Sequence, residues 1–182
     1  MAWIIVGAVV VVILLYGVAT YNKLVRLRNQ SEESAAAIDA HLKKRYDLVP
    51  NLVETVKGYA KHESQTLTAV IEARNKAMSA TTLTEKNEAS NAFSSTLKSL
   101  FALSESYPDL KANQGFLDLQ SQLQKIEEEL LHARKYYNAV INDINTMVQT
   151  IPSSIVASIA HFAKLPYLTI ADEERSQVNV RF

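Results

Sequence analysis

The sequence predicts an all-α protein. An N-terminal transmembrane helix runs on into an antiparallel up-down helical bundle of three to four long helices. Three observations carry this reading. Residues 1–22 hold no charge, and the first charged side chain is Lys23. The 182 residues include only four Gly and four Pro, among abundant Ala, Leu, Glu, Lys, Ser and Gln, a composition that favours helix over β structure. Apolar residues then recur three or four apart over long stretches, the beat of an amphipathic helix.

The opening segment MAWIIVGAVVVVILLYGVATYN is the first element. A bilayer core of about 30 Å needs roughly 20 mostly apolar residues as a helix. Ala2, Trp3 and Ile4 at one end, and Ile13, Leu14, Leu15 and Tyr16 towards the other, mark the expected span. A secretory signal peptide would carry a basic start and a small-residue cleavage site. No basic side chain precedes the run, and Gly17, Val18 and Ala19 make only a weak site, so the segment is expected to be retained. A core helix of a soluble domain would show an apolar stripe, whereas residues 4–15 are apolar all round. Lys23, Arg26 and Arg28 follow the span at once. Positive flanks stay cytoplasmic, so the short N-terminus is expected outside and the rest inside the cell. These three cations are the candidate contacts to lipid headgroups. Trp3, Tyr16 and Tyr21 suit the two headgroup regions.

The first helix is expected to continue past the span along Leu24, Leu27, Ser31, Ala35, Ile38, Leu42 and Tyr46. Proline disfavours helix in the residue before it, so Val49 and Pro50 read as a kink or a tight helix–helix junction. A second helix is predicted over 50–79, facing inward with Leu52, Val56, Tyr59, Leu67, Val70 and Ala77, and with Gly58 allowing a close neighbour. Thr82 followed by Glu85 fits a capping box for a third helix bearing Ala89, Ala92, Phe93, Leu97, Leu100, Phe101 and Leu103. After the connector 108–115, a stripe of Phe116, Leu119, Leu123, Ile126, Leu130, Ala133, Tyr137, Val140, Ile144, Met147 and Ile151 predicts a helix over 113–150. It would be ~57 Å long at ~1.5 Å per residue. Such stripes must be buried on one another, and an intramolecular bundle is expected over a coiled coil between chains. The core is assigned to Leu52, Val56, Leu67, Val70, Leu119, Leu123, Ile126, Leu130, Tyr137, Val140 and Ile144. The expected division is an anchor (1–22), a cytoplasmic bundle (23–165) and a polar, extended C-terminal tail (166–182).

Composition and motifs exclude several chemistries. Net charge is zero, which gives no case for nucleic acid. There is no Cys, so neither a disulfide nor a thiol nucleophile is available. No Gly-rich phosphate loop or GxSxG elbow occurs. His62 and Glu63 begin like a zinc-protease motif, but Thr66 stands where the second histidine belongs. Glu129 and His132 have the spacing of one di-iron ligand pair, without the second pair such a site needs. Both read better as polar surface, and Glu63 with Arg74 as a polar layer. Lys43, Lys44 and Arg45 read as a solvated face ahead of a lipid contact. No metal or cofactor is expected.

Several strings together resemble the LemA family. They are YNKLVRLRNQ after the span, IDAHLKKRYDLVPNLVETVKGYAKHE, then Ala73 and Arg74, YPDLKANQGFLDLQSQLQKIEEELLHARKYYNAVINDIN, HFAKLPY and ADEERSQVNVRF. The likeness spans nearly the whole chain. It implies a membrane-anchored α-helical bundle with an external N-terminus, and it implies no activity. One departure is that SEESAAAIDA holds Ala where the family pattern has Trp. The expected function is a non-enzymatic scaffold in the cytoplasmic membrane that self-associates laterally and organises or remodels the bilayer. Its partners would be the lipid bilayer and further copies of the chain. An adaptor for a membrane-protein partner is the alternative, and a metal-dependent bundle enzyme the third reading.

Overall fold

The computed structural model describes residues 1–169. Every regular element among them is helical: α1 (Ala2–Tyr59), α2 (Ser64–Ser79), α3 (Leu83–Leu103), α4 (Pro108–Lys111), α5 (Gln114–Gln149) and α6 (Ser153–Ile159), with a 3-10 turn at Ser104–Ser106. The chain forms two compact units. Among the described residues, one comprises Met1–Ala36 and Lys135–Tyr167; the other comprises Ala37–Arg134 with Leu168 and Thr169. The expected extended tail lies, from residue 170 on, outside the described residues.

The second unit is an up-down bundle. His41 meets Glu129, while the Tyr59 hydroxyl accepts from Asn113, so α1 and α5 run antiparallel. Ser90 meets Arg134 and Phe101 meets Phe116, so α3 and α5 are antiparallel as well. Asp39 bonds Lys86 and Arg45 bonds Ser94, which sets α1 and α3 parallel, with α2 returning between them. Leu42, Val49, Leu52 and Val56 of α1 are buried with Leu67 and Val70 of α2, Phe93, Leu97 and Leu100 of α3, and Phe116, Leu123, Ile126 and Leu130 of α5. Each such side chain contributes about 1.5–3 kcal/mol by leaving water.

Helix ends follow local chemistry. The Thr82 hydroxyl accepts from the Glu85 N–H at 3.2 Å, and the Glu85 carboxylate accepts from the Thr82 N–H at 3.1 Å, a full capping box for α3. Backbone donors at Thr82 and Thr81 hold the Glu85 carboxyl below its usual range. The Asn113 side chain accepts from the Phe116 N–H at 2.9 Å and caps α5.

Several sequence expectations are corrected. The helix does not stop at Pro50: α1 passes through it and ends at Tyr59. Proline removes the donor that would bond the carbonyl four residues back, here that of Tyr46. Arg74 from α2 supplies the missing donor, its Nε lying 2.9 Å from that oxygen. Nothing lies near the position a Cβ at Gly58 would take, so no close neighbour explains that glycine. Tyr59 and Ala92 are exposed rather than inward. On α5 the buried beat runs through Arg134, with Ala133 half-buried beside it. Ile151 lies past the end of α5, where the stripe no longer sets its direction, and is 84% exposed.

In the first unit, Leu24, Leu27, Ser31 and Ser34 form the buried stripe of α1. The Ser31 and Ser34 hydroxyls donate to the carbonyls of Arg28 and Ser31, at 2.7 and 2.9 Å. Local bonds therefore satisfy this small polar seam. Tyr137, Val140, Ile141 and Ile144 of α5 are buried in the same unit. Asn145 clamps the chain after α6: its amide donates to the Leu165 carbonyl and its oxygen accepts from the Leu165 N–H, both at 2.9 Å.

Candidate membrane anchor and a buried arginine layer

Ala2, Trp3, Ile4, Ile13, Leu14, Leu15 and Tyr16 are all exposed. None of the apolar window of α1 is buried within the protein, and the helix is long and apolar enough to cross a membrane. Water disfavours an apolar surface of this size. Lys23, Arg26 and Arg28 follow on exposed positions, and Arg28 Nε lies 3.3 Å from Glu32. Thr20 and Leu24 are buried, so protein cover begins where the uncharged run ends.

Of the assigned core residues, Leu52, Val56, Leu67, Val70, Leu123, Ile126, Leu130, Tyr137, Val140 and Ile144 are buried, and Leu119 is half-buried. Burial pushes the Tyr137 phenol above its usual range.

A polar layer crosses the bundle core of the second unit. Arg134 is fully buried and Arg45 is 2% exposed. Both guanidiniums donate to the Ser90 hydroxyl, Arg45 Nη1 at 3.0 Å and Arg134 Nη2 at 3.1 Å. Arg45 Nη2 also donates to the Ser94 hydroxyl at 2.9 Å and lies 2.9 Å from Glu127 Oε2. Ser94 in turn donates to Glu127 Oε1 at 3.0 Å. Phe93 covers the Arg45 guanidinium, with 4.9 Å from ring centroid to Cζ, and meets Tyr46 edge-on at 5.6 Å. A buried charge must be paired and hydrogen-bonded, and Arg45 meets that demand through Glu127, Ser90 and Ser94. Burial raises the Tyr46 phenol above its usual range, while the charges of Arg45 and Arg134 work against the rise. Beside the layer a cavity of about 230 Å³ opens between Arg45, Ser94, Lys98, Phe101, Gln124 and Glu127.

The basic tract 43–45 thus divides. Lys43 pairs with Asp47 at 2.7 Å and Lys44 lies 3.6 Å from Glu129, both at the surface, while Arg45 turns inward. Glu63 and Arg74 do not form a shared layer: Glu63 accepts from the Tyr107 hydroxyl at 3.1 Å, and Arg74 bonds the Tyr46 carbonyl. Glu129 is taken up by His41 Nδ1 at 3.1 Å, and His132 is exposed. The layer's other members, Ser90 and Arg134, are legible in the sequence only as polar residues standing on an apolar beat, as is buried Asn87, which donates to the Thr169 carbonyl.

An all-α bundle led by a long, uncovered apolar helix defines the class. The LemA family sequence model matches residues 34–182, and the chain belongs to the LemA family. Protein LemA of Metamycoplasma hominis is 24% identical over 159 residues, covering 87% of this chain and 73% of that protein.

Proposed function

We propose that this protein is a non-enzymatic, membrane-anchored helical scaffold of the cytoplasmic membrane, with its N-terminus outside and its bundle in the cytoplasm. The observation that carries this is the uncovered apolar run of α1, which gives way to exposed Lys23, Arg26 and Arg28. A basic residue near an anionic surface contributes about 1 kcal/mol, and the bias to one flank sets the orientation. Anchoring confines copies to two dimensions, so weak lateral contacts suffice for association. Through such association the scaffold organises or bends the bilayer.

Two measurements test this. Reporter fusions at each end of the full chain should give an outside N-terminus and an inside C-terminus, and the opposite pattern refutes the orientation. Imaging of the purified protein in lipid at high surface density should give lateral assemblies. Dispersed monomers refute self-association, and a stoichiometric second protein recovered by crosslinking would favour an adaptor.

A further inference from the structure

The short helix α6 leaves a row of apolar side chains uncovered. Ile151, Ile155 and Ile159 are 84%, 58% and 75% exposed. They are the three most exposed aliphatic side chains among the described residues beyond the apolar span. Ile155 and Ile159, four apart in α6, lie on one side of the helix, with Ile151 two residues before its start, while Ser153 and Ala157 on the other side are buried. The segment 151–159 carries no charge, and no Asp or Glu stands between Asp143 and Asp172.

The fold fixes where this row lies. The backbone leaves α6 through a Schellman turn: His161 takes a left-handed φ of 57°, its N–H bonds the Ser158 carbonyl at 3.2 Å, and the Phe162 N–H bonds the Ala157 carbonyl at 2.9 Å. That turn delivers Phe162 onto Tyr21, with ring centroids 6.3 Å apart. Tyr21 is the last aromatic residue of the uncharged run, two positions before Lys23. Two to three turns further along α1, Arg28 and Ser31 line a cavity of about 390 Å³ with Ile144, His161, Phe162 and Leu165. From Ile144, α5 runs antiparallel to α1, back towards the span. The isoleucine row therefore sits at the level where the apolar span ends and the cations begin.

We propose that α6 is a second membrane contact. Its Ile155 and Ile159 face, with the adjoining Ile151, lies in the headgroup–acyl boundary of the leaflet that Tyr21 reaches. A helix with one apolar side seats that side about 5–10 Å into this boundary. The occupant of the face is lipid rather than a second copy of the chain, because the face adjoins the span through Tyr21 and Phe162 and no carboxylate of the segment opposes an anionic surface. The inference rests on the anchoring proposed above.

The chain has no native cysteine, so single-cysteine variants of the full-length protein can be spin-labelled cleanly. Ile155→Cys and Ile159→Cys are reconstituted in liposomes of phosphatidylcholine and phosphatidylglycerol. Val11→Cys in the span and Met78→Cys on exposed α2 serve as references. Collision with oxygen is compared with collision with a water-soluble nickel chelate. The oxygen-to-nickel ratio at 155 and 159 should be several-fold above that at 78 and approach, without reaching, that at 11. A Val11 label in lipid with 155 and 159 as wet as 78 overturns the α6 contact and leaves the anchor standing. Labels at 155 shielded from both reagents, with short dipolar distances between copies, assign the face to self-association and also overturn it. An aqueous Val11 label overturns the anchor and the α6 contact together.

Discussion

The coupling of Pro50 to Arg74 is the sharpest consequence of the fold. Proline inside a helix normally costs about 3 kcal/mol, because it removes a backbone donor and crowds the carbonyl four residues back. In α1 that carbonyl belongs to Tyr46, a buried residue, and Arg74 Nε bonds it at 2.9 Å. A hydrogen bond from a charged donor is worth about 1.5–3 kcal/mol. Arg74→Met should therefore destabilise by about 2 kcal/mol. Pro50 itself is exposed, so Pro50→Ala loses little packing and restores an N–H within reach of the same oxygen. In that background Arg74→Met should cost less than about 1 kcal/mol, since an acceptor with a partner carries no desolvation penalty. The difference, about 1–2 kcal/mol, is the coupling energy of a double-mutant cycle. Urea denaturation of the four full-length proteins in one detergent, followed by helical circular dichroism, measures it. Each kcal/mol should also move the melting temperature by about 2–4 °C in a chain of this size. Additive effects, within about 0.5 kcal/mol, would refute the claim that Arg74 takes over the bond that Pro50 gives up.

Other variants probe the remaining devices. Glu127→Gln keeps the shape of the layer and removes its carboxylate, 2.9 Å from Arg45. Two unit charges at that distance attract by about 1.4 kcal/mol in water and about 6 kcal/mol at an effective dielectric of 20. With Glu127 about a third exposed and two serines still accepting from Arg45, a loss of about 2 kcal/mol in the same denaturation assay is expected. Thr82→Ala should cost about 1 kcal/mol by uncapping α3, read as reduced protection of the Glu85 amide in hydrogen exchange. His161→Gly should stabilise by about 0.5–1 kcal/mol, because the left-handed φ strains any residue with a Cβ. The Tyr46 phenol is raised by burial, so the folded state holds its proton longer than the unfolded chain does. Stability should be intact below the unfolded value near 10 and fall as pH rises through the folded value, and Tyr46→Phe should flatten that fall in alkaline melts.

Periodicity made most of the helices legible and left their polar exceptions hidden. The beat from Phe116 to Ile151, with Pro152 as the stop, gave α5 to within a residue at each end, and Thr82 with Glu85 located the start of α3, since both signals depend on neighbours in sequence. Pro50 misled because its effect was judged from α1 alone, while its compensation comes from Arg74 on another helix. The arginine layer was missed for a related reason. Asn87, Ser90 and Phe93 continue the three-and-four spacing of α3, as Leu130, Arg134 and Tyr137 do on α5, but a search for apolar side chains passes over the polar residue in the sequence and accepts Ala92 and Ala133 beside it. A polar residue on the beat of two different helices is the signal that would have found the layer.

Periodicity also assigns a direction to a side chain without saying what lies there. Ile151 extends the α5 stripe by spacing alone, yet α5 has ended and Pro152 has turned the chain, so the same residue type faces outward. The span and α6 share this property. Residues 2–16 are exposed on all sides, and α6 is apolar and uncovered on one side, whereas the outward faces of α2, α3 and α5 are mostly polar. An uncovered apolar face requires an apolar neighbour from outside the chain. The Tyr21–Phe162 contact places both such faces in one unit, and in the proposed reading a single neighbour, the bilayer, satisfies the two together. On that reading, a protein partner for α6 would have to reach it at the membrane surface, beside Lys23 and Arg26.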